Sequence, residues 1–108
     1  MKRLLPVALL CALSVAARAQ FLSGVQLKDD LDEAEAGSSF AKRTIAMGYV
    51  AGVYDLTVGR EVCPDRAVNA KESMIIVHRY LRAHPKRLLE NAAPLAVEAL
   101  REAFPCKK

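Results

Sequence analysis

The chain has 108 residues, with 16 Lys and Arg set against 12 Asp and Glu for a formal charge of +4. That length suits one small domain. Nucleic-acid binding needs a concentrated basic surface, and pairs such as Lys86-Arg87 and Lys107-Lys108 are too small to supply one.

Met1-Lys2-Arg3, the apolar run Leu4–Ala16 and Ala17-Arg18-Ala19 have the three-part layout of a cleaved secretory signal. The apolar run is shorter than the ~20 residues of a membrane-spanning helix. Residues 1–19 are therefore expected to leave, and residues 20–108 to form a single helical domain in the periplasm, with no membrane contact. Lys2, Arg3 and Arg18 go with the leader, so the mature chain carries 13 basic and 12 acidic residues. Cys11 goes too, which leaves Cys63 and Cys106. Two cysteines in an exported chain most often pair, and closing a loop of that length is worth about 4 kcal/mol.

Ser23 or Gly24 opens a short helix, GVQLKDDLDEAEA, stopped at Gly37. Its carboxylates, Asp29, Asp30, Asp32 and Glu33, are expected to face water. Ser39 is a suitable N-cap for a long central helix from Phe40 to about Thr57. A strand there is excluded because both alternating faces would be apolar over too many residues. Ala41, Ile45, Gly48 and Gly52 share one helical face. Two interior glycines cost about 1 kcal/mol each relative to alanine, so Gly48 and Gly52 predict close packing against another backbone.

Gly59-Arg60-Glu61 breaks the pattern, and Cys63-Pro64-Asp65 continues a loop. Asn69 and Glu72 form a capping-box-like pair for a helix carrying Ala70, Met74, Val77 and Leu81, which Pro85 ends. A turn or two of helix follows over Pro85–Glu90. Asn91 can cap the last helix, which Pro105 terminates just before Cys106. The sum is an all-α bundle of about four helices with one disulfide.

No catalytic constellation emerges. A reactive cysteine must be free and activated, and a Cys63, Cys106, His78, His84 zinc set lacks the close ligand spacing of structural zinc sites. His78 reads as a surface or rim histidine, and His84 as a helix-end residue. The Gly48-x-x-x-Gly52 segment lacks the Lys and Ser/Thr of a phosphate loop. Neither an enzyme, a cofactor nor a metal is expected.

The ordered landmarks GYVAGVYD, a Cys-Pro loop, RYLRAHP and ALREAFPC resemble the Rap/Tai family of type VI secretion immunity proteins, over about Ser23 to Cys106. The resemblance implies a periplasmic, all-helical, non-catalytic protein, acting as a homodimer, that binds and inhibits a peptidoglycan amidase effector. Cys63 and Cys106 match the family's late cysteine pair, whereas the positions of its earlier pair fall near Leu31 and Ala46 here. The rival is an exported helical accessory or adaptor protein with a different protein partner. Loops carry function more readily than helix flanks. The candidate partner-binding residues are accordingly Arg60, Glu61, Asp65 and Arg66 in the loop Gly59–Val68, then His84, Lys86 and Arg87 in the loop His84–Glu90.

Overall fold

The computed structural model describes residues 21–107; the leader expected at residues 1–19 lies outside them. Four helices follow in chain order: α1 Gly24–Ala36, α2 Phe40–Thr57, α3 Ala70–Ala83 and α4 Ala92–Ala103, with a 3₁₀ turn Pro85–Arg87 between the last two. The all-α bundle of four helices is the architecture expected from the sequence. Among the described residues, no helix is long and apolar enough to cross a membrane.

Local chemistry sets most of the boundaries. Ser23 and Gln26 form a full capping box: the Gln26 amide oxygen accepts from Ser23 N–H at 2.9 Å, and the Ser23 hydroxyl accepts from Gln26 N–H at 3.3 Å. Gly37 ends α1 at φ 70°, a left-handed conformation that glycine adopts without steric cost. Ser39 caps α2 through Lys42 N–H at 3.2 Å. Asn69 caps α3 through Glu72 N–H at 2.8 Å. The reciprocal half of that pair is missing because the Glu72 carboxylate is drawn to Arg66. Asn91 sits at the N-cap of α4 but its side chain makes no cap bond. Ala92 N–H donates instead to the Leu22 carbonyl at 3.0 Å, across an antiparallel bridge between Ser23 and Asn91. A tertiary contact has replaced the expected local one.

Every helix sends an apolar stripe to one core. Leu27, Val50, Val77, Leu81, Leu95 and Leu100 are fully buried, joined by Val62 from the loop after α2. Each large aliphatic side chain buried this way contributes about 1.5–3 kcal/mol relative to exposure. Leu31 and Ala46, where the resembled family has its earlier cysteine pair, belong to the same cluster. Apolar packing occupies the place of a bridge.

The glycine expectation needs correction. A Cβ at Gly48 or Gly52 would meet nothing within 4 Å, and both residues are exposed. Ala46 and Val50 point inward instead, because the buried and glycine faces of α2 lie on opposite sides of its 100° residue step. The outer face also exposes Phe40 (84%), Ile45 (57%) and Leu56 (69%). The closely approached glycine is Gly24. A Cβ there would lie 2.8 Å from the Leu88 carbonyl oxygen and 2.8 Å from Leu95 Cδ1. The first turn of α1 lies against the α3–α4 connection, with Gly24 N–H donating to the Glu90 carbonyl and Val25 N–H to that of Leu88, both at 2.8 Å.

Candidate functional site

The loop Gly59–Val68 is held at several points. Gly59 turns the chain at φ 80°, a conformation suited to glycine. The Thr57 carbonyl then accepts from the N–H groups of Arg60, Glu61 and Val62 at 3.0–3.1 Å. Thr57 itself is buried, its hydroxyl donating back to the Val53 carbonyl at 2.8 Å. Val62 plugs into the core, and Cys63 N–H donates to the Phe104 carbonyl at 2.8 Å. The expected disulfide joins Cys63 to Cys106 with their Cα atoms 4.8 Å apart. With both sulfurs bonded to each other, neither is a thiolate for catalysis or zinc. Among the described residues, no group of three His, Cys, Asp or Glu is placed to hold a metal.

The four candidates on this loop divide into two kinds. Glu61 is paired to Arg101 at 3.0 Å. Arg66 forks onto the Glu72 carboxylate, with Nη1 donating at 2.9 Å, and its guanidinium lies 5.7 Å from the centre of the Phe104 ring. That bidentate bond raises the Arg66 pKa and lowers that of Glu72. Arg60 and Asp65 are exposed, and among the described residues neither has an oppositely charged partner within 4 Å. Those two project from a fixed base with their charges unspent.

The second loop is mostly wired inward. His84 Nδ1–H donates to the Tyr80 carbonyl at 2.8 Å, and the two rings stack with centroids 4.0 Å apart. Arg87 bonds the Tyr80 hydroxyl at 2.7 Å, Glu90 at 2.8 Å and Glu98. Hydrogen bonds that Arg87 donates, first to Glu98 and then to Glu90, raise its pKa, so it is a permanent cation at the centre of a network. Lys86 is exposed beside Leu89, which is 87% exposed. Of the residues expected here, Lys86 alone faces solvent without an ion-pair partner among the described residues.

Sequence reasoning missed a third cluster. His78 is 7% exposed, not a surface or rim residue. Its Nε2 lies 2.7 Å from an Asp32 carboxylate oxygen, and its Nδ1 lies 3.5 Å from Glu35. Lys28 bonds Asp32 at 2.7 Å, Lys42 bonds Glu33 at 2.6 Å and Arg82 reaches Glu35 at 3.4 Å. The carboxylates of α1 expected to face water thus partly serve to dock α1 on α2 and α3. The acid run gave no signal of this, since the partners lie up to 47 residues away in the chain.

Asp32 links this cluster to pH. Burial pushes its pKa up, but the bonds from Lys28 and His78 outweigh burial and leave it below the ordinary carboxylate value. A depressed carboxylate stabilises the fold above its unfolded pKa of about 3.9, and that contribution disappears as pH falls through the folded value. Melting temperature should therefore drop as pH falls below about 4. In Asp32→Asn part of that drop should be missing, as thermal melts between acid and neutral pH can read.

A family model described as Rap1a immunity proteins matches residues 12–106. No curated protein matches the chain significantly.

Proposed function

We propose, for a chain that belongs to the Rap1a immunity protein family, that it protects its producer by binding a peptidoglycan amidase delivered by type VI secretion and blocking the amidase cleft. The action is periplasmic, after removal of the signal at residues 1–19. The observation that carries the mechanism is the loop Gly59–Val68, a fixed base whose Arg60 and Asp65 have no ion-pair partner among the described residues. A pre-ordered loop loses little conformational entropy when it enters a cleft. Arg60 and Asp65 supply both signs of charge for recognition. Glu61 and Arg66 hold the loop's shape through Arg101 and Glu72. Lys86 and Leu89 on the second loop form an auxiliary contact. No chemistry is required of the inhibitor itself.

The protein acts as a homodimer, formed through the outer face of α2. Phe40, Ile45 and Leu56 supply exposed apolar area there, while Gly48 and Gly52 allow a second copy's backbone to approach. Asp55 lies on this face, and Arg43 borders it beside Phe40 and Gly48.

Co-expression tests the reading. Each cell-wall hydrolase encoded near this gene is sent to the periplasm with and without the protein, and lysis is scored. Rescue from one amidase is the expected result. If no hydrolase is neutralised, the protein is an exported adaptor and the immunity reading fails.

A further inference from the structure

Lys71, Ile75, His78 and Arg82 fall at i, i+4, i+7 and i+11 of α3, one straight stripe along the helix. This stripe forms the floor of a groove walled by Leu31 and Glu35 of α1 and by Arg43 of α2. Eleven residues at 1.5 Å each put its two end cations about 16 Å apart. Between them lie Ile75, 45% exposed with the nearly buried Met74 beside it, and the edge of His78, whose ring nitrogens face Asp32 and Glu35. Among the described residues, neither Arg43 nor Lys71 has an acidic partner within 4 Å. Glu35, the carboxylate in the lining, is already shared by Arg82 and His78.

We infer that this groove is a docking site for an acidic amphipathic helix of a partner protein, with carboxylates about three turns apart and apolar side chains between them. Charge selects the chemistry: Lys71 is unpaired at one end, Arg82 at the other can exchange its exposed 3.4 Å contact with Glu35 for a partner's carboxylate, and Ile75 between them takes an apolar side chain. Backbone bonding fixes the conformation. The groove walls are helices whose N–H and C=O groups are bonded internally, so an extended segment would find no backbone partners there. A helix satisfies its own. A second copy of this chain fits poorly, because none of its described helices carries two carboxylates eleven residues apart. The site is distinct from the loop Gly59–Val68 and does not depend on the amidase reading.

The probe is a stapled helical peptide with two glutamates eleven positions apart and leucines four and seven positions after the first. It is titrated into the ¹⁵N-labelled mature protein. Saturable shifts should appear at Arg43, Lys71, Ile75 and Arg82, and be absent from the loop Gly59–Val68. Replacing both glutamates by glutamine should weaken binding by about tenfold or more, and so should Lys71→Glu in the protein. The glutamine peptide needs no protein variant, so the result stands even if Lys71→Glu folds badly. Equal binding of the glutamine peptide, shifts centred elsewhere or no saturable shift would each overturn the assignment. Concentration-dependent shifts at these residues without peptide would do so too, since they would place a second copy in the groove.

Discussion

Replacing Cys106 by alanine should lower stability by about 2–5 kcal/mol, enough to remove much of the stability of a chain this small. The bridge joins residues 43 positions apart, so its loss restores a large loop entropy to the unfolded state. The folded state suffers as well. Cys63 N–H and the Phe104 carbonyl lie at the same junction, and the loop Gly59–Val68 then depends on Val62, the Thr57 carbonyl and the exposed ion pairs of Glu61 and Arg66. Denaturant unfolding with and without reductant measures the first effect. Amide exchange across residues 59–68 measures the second, and should accelerate there more than in α3.

Gly24→Ala should destabilise the protein by about 1–3 kcal/mol, the usual cost of overpacking. The new methyl would meet the Leu88 carbonyl oxygen at 2.8 Å. Backbone cannot rotate away as a side-chain tip can. Relieving the clash means shifting α1 from the segment that accepts its first two N–H bonds at Glu90 and Leu88. The contrast lies in α2. Gly48→Ala and Gly52→Ala place their methyl groups in open space, so each should stabilise the isolated chain by up to about 1 kcal/mol through helix propensity. If the outer face of α2 joins two copies, the same substitutions should weaken the dimer. Thermal melts at low concentration and sedimentation across a concentration series separate the two effects.

These glycines mark the limit of what the sequence discloses. Helix boundaries were legible wherever the determinant was local: Ser39 and Asn69 as caps, Gly37 as a stop, Pro85 as a break. The disulfide was legible because two cysteines remain once the expected leader is set aside, and such a pair in an exported chain most often bonds. Gly48 and Gly52 were legible as residues without helical propensity, but which side of α2 would be covered depends on how Ala46 and Val50 meet the other helices. Gly24 looked like a helix start, and its role as a contact point depends on Leu88 and Leu95, far along the chain. For the same reason Asn91 could not be seen to lose its capping role to Leu22, nor His78 to be buried against Asp32. Among the candidate site residues, charge and loop placement were legible. Their division into projecting residues, Arg60, Asp65 and Lys86, and internally bonded ones, Glu61, Arg66, His84 and Arg87, rests on pairing across elements.

The most direct test of the account is an inhibition titration. The amidase that co-expression identifies is assayed on purified peptidoglycan while the protein, without residues 1–19, is added. Cleavage should fall to zero near one inhibitor chain per enzyme. The double charge reversal Arg60→Glu with Asp65→Lys should abolish inhibition while leaving the melting temperature unchanged. Full cleavage in the presence of excess protein, or undiminished inhibition by the charge-reversed loop, would contradict it.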